Sequence, residues 1–353
     1  MKKVLFISMG EIFGGIEKQE LDIANNIKNY DIEFLTPIKL FNTKKEHTLN
    51  ISRNKYINRI KYNYKLYKFL KNNKYDIIHI NSSVFLFSFQ VALISKITKH
   101  KIIVVESHSI PYISKIKRLL IKILLPIYKR LINKSLSCSI EAEKSLFLNN
   151  TEILNNGIDI NNYKFNEKIR NEYRKNLNIE DKKVYGTIGR IDKNKNYNFL
   201  IDLFNNIKDK NSILLIIGTG PDKEQIENKI KELKLDKKVL LLGQRQDIKE
   251  LLSCMDIFIF PSLKEGFGLS IIESLTSGLP TIINSNIKIN IKSNNLYRID
   301  NYDISTWKET INNIKINKRE NSYKEVINSG YDIKDTCKSL EKIYNDMIKW
   351  KKY

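Results

Sequence analysis

The second half of the chain contains short apolar runs that end in glycine or lead into a glycine turn. These runs are residues 183–189, 213–218, 238–243 and 256–260, and segments predicted as helices follow them. Buried runs bounded by turn residues predict strands of a parallel sheet, because helices cover both faces of such a sheet. Open α/β sheets bind ligands at the carboxyl ends of their strands, so the residues after each run are candidates for function.

Two glutamates flank the glycine turn that follows residues 256–260. Glu265 precedes the glycines, and Glu273 follows them in a helix predicted to begin at Ser270 and to carry Glu273 in its first turn. Carboxylates can accept hydrogen bonds from the hydroxyls of a sugar and a ribose, and turn amides can donate to phosphate, so the segment is typical of a sugar-nucleotide site. The alternative is structural, since Ser270 and Glu273 fit a capping box and Glu265 fits a solvated loop charge.

A second candidate site follows residues 183–189. Gly189 ends that strand, and Arg190 and Lys195 come directly after it. Arginine offers a fork of donors and lysine a point charge, and together they suit a diphosphate. In a chain with 61 Lys and Arg, surface solvation is the alternative for any one basic residue. We favour function for Arg190 and Lys195 because both follow a buried strand.

These motifs resemble those of the retaining glycosyltransferases of family 4. The resemblance rests on Gly189 and Arg190 with Lys195, on Gly218 and Gly220 with Pro221, on residues 260–273, and on Gly278 with Pro280. It implies an α/β protein of GT-B fold, with two Rossmann-like parallel-sheet domains facing a central cleft and a C-terminal helix that crosses back to the first domain. It also implies catalytic roles for Arg190, Lys195, Glu265 and His108, and donor-binding roles for Gly14, Gly15, Gly189, Gly266, Phe267, Gly268, Leu269 and Glu273.

The first half of the chain agrees with this resemblance. Residues 3–8 are predicted to form the first strand, and Gly14 and Gly15 lie in the loop that faces the donor phosphates in the family. His108 follows a predicted strand at residues 102–105, where the family often has an active-site histidine; the alternative is a structural histidine bonded to a neighbouring backbone group. Residues 285–296 depart from the glycine-and-acid stretch that is common in the family.

The length of 353 residues suits two domains of ordinary size. We expect an acceptor-binding domain at residues 1–161, a linker with a flanking helix at 162–182, and a nucleotide-sugar-binding domain at 183–329. Apolar residues at helical spacing predict a last helix in residues 330–353, which in this fold packs back on the first domain.

The formal net charge of +22 is concentrated in the expected acceptor-binding domain, where residues 51–150 contain 19 Lys and Arg against 4 Asp and Glu. Residues 115–134 mix basic and bulky apolar side chains as an interfacial helix does, with Pro126 predicted to interrupt it, and residues 53–74 are basic and rich in tyrosine. Residues 115–134 are therefore predicted to bind an anionic membrane surface, with residues 53–74 as a second contact. The alternative is a core helix with a solvated basic face.

Other functional classes fit less well. A non-enzymatic nucleic-acid- or lipid-binding protein on a Rossmann-like scaffold is the alternative for so basic a chain, but zinc-finger spacing and RNA-binding aromatic motifs are missing, and we expect no nucleic-acid partner. No strand is followed by G-x-G-x-x-G, which argues against a dinucleotide oxidoreductase. A metal-dependent GT-A transferase would need an Asp-x-Asp motif, and none occurs.

Cysteines and apolar segments indicate the compartment. Cys138, Cys254 and Cys337 have neither metal nor disulfide spacing, which favours a reducing cytoplasm. The apolar run at the N-terminus is too short for a signal peptide. Residues 77–95 contain polar side chains, so a strand and a buried helix are expected there in place of a membrane span.

The sequence therefore predicts a retaining transferase that moves a hexose-type sugar from a nucleotide diphosphate donor, expected to be a UDP-sugar, to a hydroxyl of an acceptor. The family resemblance implies a lipid-linked saccharide acceptor in the assembly of capsule, exopolysaccharide or another surface glycan. It also implies front-face attack without a protein nucleophile. We expect no cofactor and no metal, and a cytoplasmic enzyme held peripherally at the inner face of the membrane.

Overall fold

The computed structural model describes residues 1–350 except for residues 12, 52–55, 109–113, 146, 149–150, 208, 316–318 and 320–321. The chain divides into two compact units. The first contains Met1–Gly157 together with Ile333–Tyr353, and the second contains Ile158–Asp332. The expected boundaries at residues 161 and 330 thus differ by a few positions from those of the compact units.

The first unit contains a sheet of parallel strands. They are β1 (Lys2–Ser8), β2 (Tyr30–Thr36), β3 (Glu46–Thr48), β4 (Ile77–Asn81), β5 (Ile102–Ser107), β6 (Lys134–Ser137) and β7 (Glu152–Ile153). Their order is β3-β2-β1-β4-β5-β6-β7, and every neighbouring pair is parallel. The helices before Gly157 are α1 (Gly15–Asn26), α2 (Tyr56–Asn72), α3 (Phe85–Ile97), α4 (Lys115–Leu131) and α5 (Ile140–Glu143).

Alternate residues of the central strands pack on opposite faces of this sheet. On β1, Leu5 and Ile7 belong to the apolar core that α2, α3 and α4 cover. Val4 and Phe6 point to the other face and pack in a second core with α1. Helices on both faces explain why residues 4–8 of β1 and all of β4 are buried, without the alternation of a half-exposed strand. The expected strand and buried helix within residues 77–95 are confirmed as β4 and α3.

The second unit contains another parallel sheet. Its strands are β8 (Lys183–Ile188), β9 (Ser212–Ile217), β10 (Val239–Gly243), β11 (Ile257–Phe260), β12 (Thr281–Asn284) and β13 (Leu296–Ile299), in the order β10-β9-β8-β11-β12-β13. Its helices are α6 (Ile160–Tyr163), α7 (Glu167–Asn176), α8 (Tyr197–Asn206), α9 (Lys223–Glu232), α10 (Ile248–Cys254), α11 (Leu269–Thr276), α12 (Ile304–Asn313) and α13 (Tyr323–Asn328). The strand order reverses between β8 and β11, which makes this position the topological switch point of the unit.

The segment expected as a linker is integrated into the second unit. Arg170 and Arg174 of α7 both bond the carboxylate of Asp256 just before β11, at 2.5 and 2.6 Å. Burial alone would raise the pKa of Asp256, but the Val184 N–H and the two arginines outweigh it and lower the pKa. The carboxylate therefore stays charged and ties α7 to the sheet, because a buried charge is stable only when it is paired.

The last helix, α14 (Ile333–Trp350), belongs to the first unit. Ile333, Leu340 and Ile343 lie in the same core as Val4 and Phe6. The Tyr344 hydroxyl also lies 2.5 Å from Nδ1 of His79 on β4. The C-terminal segment therefore completes the face of the first sheet that α1 covers only in part.

One local expectation was wrong. Pro126 does not interrupt a helix, since α4 continues through it from Lys115 to Leu131. Within the residues described here, no helix is both long and apolar enough to cross a membrane.

The packing of α14 can be tested at Leu340, which is fully buried. Leu340→Ala should lower the free energy of unfolding of the first unit by about 2–5 kcal/mol, because it removes buried methyl groups and leaves a cavity. Lys342→Ala, at an exposed position of the same helix, should change it by less than about 0.5 kcal/mol. Denaturant unfolding followed by circular dichroism measures both values. Two equally small changes would show that α14 is not part of this core.

Candidate active site

The turn after β8 is held by the neighbouring loop after β9. The Gly189 N–H donates to the Ile217 carbonyl at 3.0 Å, and the Tyr197 hydroxyl donates to the Gly189 carbonyl at 2.9 Å. A Cβ atom on Gly218 would lie 2.0 Å from the Gly189 oxygen, and φ of Gly218 is +140°. Only glycine permits so close an approach of two backbones. Gly218 is thus needed to pack the two loops together, whether or not it contacts a ligand.

Lys195 and Glu265 meet at the switch point. Lys195 lies in the 3₁₀ turn Lys193–Lys195 after β8, Glu265 lies in the loop after β11, and their side chains form an ion pair. The side chains are 18% and 17% exposed. The Lys195 ammonium also lies 4.5 Å from the centre of the Phe260 ring at the end of β11. Two residues singled out in separate motifs therefore form one charged cluster, accessible to solvent only in part.

Arg190 extends from the same turn into solvent. Its side chain is 66% exposed, and its Nε lies 3.9 Å from Asp192 Oδ2. The Asp192 carboxylate in turn accepts the Asn194 N–H at 3.0 Å and so fixes the turn that carries Lys195. Arg190 thus offers an accessible guanidinium in the same connection that carries Lys195.

The glycine turn after Glu265 places a helix N-terminus beside this cluster. Gly268 has φ of +86° and is the N-cap of α11. This left-handed conformation suits glycine, and a Cβ here would also lie 2.8 Å from Ile271 Cδ1. Glu265 Oε1 accepts the Gly266 N–H at 3.2 Å. Phe267 is buried against Tyr331, with ring centres 5.7 Å apart.

The structural alternative for Glu273 is wrong. α11 begins at Leu269, so neither Ser270 nor Glu273 occupies a capping-box position, and Gly268 makes no side-chain cap. Glu273 lies in the second turn of α11 and is only 5% exposed. The expected position in the first turn is therefore corrected, and helix capping does not explain a buried carboxylate at this place.

Residues 285–296 form an ordered connection between β12 and β13. Ile287, Ile289 and Ile291 are buried. The Arg298 guanidinium donates to the carbonyls of Ile287 and Ile289 at 3.1 and 2.6 Å. Buried isoleucines thus fill this segment, where the family commonly has glycine and acidic residues.

In the first unit, the glycine loop opens α1. Gly14 is the N-cap and Gly15 the first helical residue, and the Gly14 N–H donates to Glu17 Oε2 at 3.0 Å. Glu17 is buried, and this burial raises the pKa of its carboxyl group. The loop after β1 and the end of β4 lie at the switch point of the first sheet, where β1 and β4 are neighbours.

His108 directly follows β5 and is 7% exposed. Its backbone N–H donates to Ser83 Oγ at 3.0 Å, and its Nε2 lies 3.2 Å from Asn81 Oδ1. Burial lowers the pKa of His108, and the charge of Glu106 opposes this only in part. In the part of the chain that the structure describes, the imidazole contacts the side chains of Asn81 and Glu106, at the ends of β4 and β5. Its expected catalytic role stays a prediction.

Two buried carboxyl groups near His108 were missed by the sequence reasoning. Glu106 and Glu20 are each 1% exposed. Glu106 interrupts the apolar run of β5, and Glu20 lies on the buried face of α1. A charged residue at a position expected to be apolar was the only sequence feature that could have indicated these two groups. In a chain rich in charged residues that signal is weak, because most charges lie on the surface.

Comparisons with known proteins agree with this arrangement. Residues 169–332 match the family of glycosyl transferases group 1. EpsF of Bacillus subtilis, named as a glycosyltransferase, is 31% identical over 202 residues, which cover 55% of this chain and 53% of EpsF. The alignment thus spans about half the length of that relative. The UDP-Gal:alpha-D-GlcNAc-diphosphoundecaprenol alpha-1,3-galactosyltransferase of Escherichia coli is 26% identical over 318 residues, or 80% of this chain and 78% of that enzyme.

Similarity to solved structures extends over nearly the whole chain. HepE of Anabaena, solved in complex with UDP-glucose, superimposes with a TM-score of 0.81 at 18% identity and covers 98% of this chain and 100% of its own. At that identity the likeness establishes the fold. The predicted GT-B fold, with its two parallel α/β sheets, is therefore confirmed, and residues 169–332 match the group 1 glycosyl transferases.

Proposed function

We propose that the protein transfers a hexose-type sugar, with retention of configuration, from a UDP-sugar to a hydroxyl of a lipid-linked saccharide during assembly of a surface polysaccharide. The observation that carries the proposal is the pairing of Lys195 with Glu265 at the switch point of the second sheet, next to the Gly268 turn and the buried Glu273. This edge of a parallel sheet is where α/β proteins bind nucleotides.

In this proposal, catalysis depends on stabilising the leaving diphosphate. Negative charge develops on its oxygens as the sugar bond breaks, and fixed positive groups around it lower the barrier. Arg190 and Lys195 supply cationic donors, and the amides of residues 266–269 supply neutral ones. Without substrate, Glu265 neutralises Lys195, so the incoming diphosphate takes over the ammonium. The acceptor attacks from the same face as the departing diphosphate, which takes up its proton, and neither a protein nucleophile nor a metal is needed.

Donor and acceptor are proposed from the relatives. The Escherichia coli relative is named for a UDP-galactose donor and a diphosphoundecaprenol-linked acceptor, and HepE was solved with UDP-glucose. Glu273, buried behind the glycine turn, is proposed to bind the ribose hydroxyls, and Glu265 the hydroxyls of the transferred sugar. The match to a glycosyltransferase family also favours an enzyme over the alternative of a basic binding protein.

The structure supports a membrane-facing role for α4 in the first unit. Ile116, Leu120, Ile123 and Ile127 recur at helical spacing, and 84%, 41%, 63% and 48% of their surfaces are exposed. Ile121 and Tyr128 are buried, so the helix packs on the unit through one face and presents an apolar stripe on another. The core-helix alternative does not explain such a stripe.

Basic residues accompany the apolar stripe. The exposed ones on α4 are Lys115, Lys117, Arg118, Lys122, Lys129 and Arg130. An apolar stripe with adjacent cations is typical of a helix lying in the interface of an anionic bilayer. We therefore place the enzyme peripherally at the cytoplasmic leaflet, where a lipid-linked acceptor is reached. The described part of the other basic stretch, α2, adds exposed Ile60 and Tyr64.

The diphosphate role can be tested at Arg190 and Lys195. Arg190→Ala and Lys195→Ala should each lower turnover by about tenfold to a hundredfold, since a hydrogen bond to a charged group contributes about 1.5–3 kcal/mol. Lys193→Ala, an exposed lysine of the same turn, is the matched control and should retain activity. Steady-state kinetics with saturating donor, with and without EDTA, measure the effect. Normal turnover in both variants would contradict the assignment.

Calorimetric titrations should distinguish the roles of Glu265 and Glu273, because their variants should differ in affinity for UDP. Glu273→Gln should weaken binding of both UDP and the UDP-sugar, because the ribose is common to them. Glu265→Gln should weaken the UDP-sugar but spare or strengthen UDP, because Lys195 no longer has a carboxylate partner to give up. Loss of UDP binding in Glu265→Gln with normal binding in Glu273→Gln would reverse the assigned roles.

Binding to an anionic membrane should depend on the basic residues of α4. Replacing Lys117, Arg118, Lys122, Lys129 and Arg130 with glutamine should abolish sedimentation with anionic vesicles and leave donor hydrolysis intact. Binding of the wild type should weaken with salt, because the Debye length falls to about 8 Å at physiological ionic strength. The control replaces five lysines exposed on the second unit: Lys175, Lys210, Lys231, Lys234 and Lys237. Equal sedimentation of the two variants would show that the α4 cations are only solvated.

A further inference from the structure

A chain of buried polar side chains links α14 to His108 in the first unit. The Tyr344 hydroxyl lies 2.5 Å from His79 Nδ1, and His79 Nε2 lies 3.0 Å from Glu106 Oε2. The other oxygen of Glu106, Oε1, lies 3.8 Å from His108 Nε2. All four side chains are at least nine-tenths buried. Polar groups buried in this way are costly unless they are paired, so the chain must have a consistent set of donors and acceptors.

The direction of each bond follows from the protonation states. Burial raises the pKa of Tyr344 well above its usual range, so its hydroxyl keeps its proton and donates to His79 Nδ1. His79 Nε2 then carries the proton and faces Glu106 Oε2 at 3.0 Å. Burial alone would raise the pKa of Glu106, but His108 and His79 outweigh it and lower the pKa, so Glu106 is an anion that lies between the two imidazoles.

Glu20 of α1 interacts with Asn81 and Glu106, the two neighbours of the His108 imidazole. It is buried, and burial together with Glu17 raises the pKa of its carboxyl group well above the usual range, which favours the uncharged form. Burial lowers the pKa of His108 itself, so the imidazole is neutral. A neutral imidazole has one N–H donor and one acceptor nitrogen, and its neighbours decide which nitrogen is which.

The neighbours of His108 decide the tautomer. Nε2 faces two acceptors, Asn81 Oδ1 at 3.2 Å and Glu106 Oε1 at 3.8 Å, and therefore carries the proton. Nδ1 is buried and has no hydrogen-bond partner among the residues that the structure describes. A lone pair at Nδ1 accepts a hydrogen bond from a hydroxyl and repels a phosphate oxygen that carries no proton.

We infer that Glu106 is a positioning residue, which holds His108 as the Nε2–H tautomer and so leaves Nδ1 to accept a hydrogen bond from a sugar hydroxyl and not from the diphosphate. The inference rests on the proposed function in placing His108 against substrate. It adds a specific ligand group, the hydroxyl, and a cause, the charge of Glu106 beside Nε2.

The tautomer can be measured directly by ¹⁵N NMR of histidine side chains. The chain has four histidines, so the spectrum is simple, and comparison with His108→Ala identifies the signals of His108. We expect the shifts of a neutral Nε2–H imidazole, with Nδ1 unprotonated, and a change at Nδ1 when substrate binds. An Nδ1–H tautomer in the wild type overturns the inference, and this measurement needs no variant of Glu106.

Kinetics of Glu106→Gln supply the second test. We expect kcat/KM to fall about tenfold, because the Nε2–H tautomer loses the negative charge that favours it. The anion raises the pKa of His108, so its removal should lower that pKa and move the acid limb of the pH profile to lower pH. Tyr344→Phe keeps the anion and should reduce thermal stability while leaving the limb and the His108 tautomer in place. A merely structural Glu106 would change stability alone.

Two results separate this inference from the proposed function. If Lys195→Ala is impaired while His108→Ala has full activity, the glycosyltransferase proposal stands and the role of His108 falls. If His108→Ala is impaired but Glu106→Gln keeps the wild-type pH profile and tautomer, His108 contacts substrate without help from Glu106, and the inference is overturned.

Discussion

In the second unit, the ammonium of Lys195 and the carboxylate of Glu265 neutralise each other where β8 and β11 run side by side. Parallel pairing brings the carboxyl ends of both strands to one edge, and the strand order reverses between them, so two loops distant in sequence converge there. The other features of the site are arranged around this contact. Gly218 packs against Gly189 at the end of β8, and Gly268 starts α11 close to Glu265.

Lys195 can exchange its partner Glu265 for a bound anion. Its two side chains are mostly but not fully buried, so solvent or an anion can reach the ammonium. Separating a partly buried pair is costly unless a new partner takes over. A diphosphate provides that partner in our proposal, and Glu265 is then free to accept hydrogen bonds from the sugar. The same contact thus keeps Lys195 in place before binding and couples diphosphate binding to sugar recognition.

The chain of buried polar side chains in the first unit also depends on residues that are distant in sequence. His79 and Tyr344 are separated by 265 positions, yet their side chains lie 2.5 Å apart, and His79 in turn lies against Glu106. The first unit therefore cannot complete its core or its polar chain before the C-terminal helix is available. Contacts of such sequence separation are expected to form late in folding.

Much of the architecture was predictable because it follows from local patterns. The apolar runs ending in glycine gave β8, β9, β10 and β11, and the motif around Glu265 and Lys195 identified residues that meet in space. Six other strands were not predicted, and only β2 among them has more than four residues; they are β2, β3, β6, β7, β12 and β13. The capping box at Ser270 and Glu273 was misassigned because glycine in a left-handed conformation, which sequence does not reveal, starts α11 earlier.

The burial of Glu20 and Glu106 could not be predicted from the sequence. Both look like surface glutamates in the sequence, and only the packing of α1, β4 and α14 shows that they are enclosed. The continuation of α4 through Pro126 also depends on tertiary packing. Ile121 and Tyr128, on either side of Pro126, are buried against the unit and stabilise a helix that local propensity would end.

The central claim is that the edge formed by the turns after β8 and β11 binds the nucleotide diphosphate of the donor. Hydrogen–deuterium exchange with and without UDP tests it most directly, because exchange reports the protection of individual backbone segments. The account predicts slower exchange in residues 189–195 and 265–273 on addition of UDP, with unchanged exchange in α4. Unchanged exchange in both turns under saturating UDP, or protection confined to other segments, would contradict it.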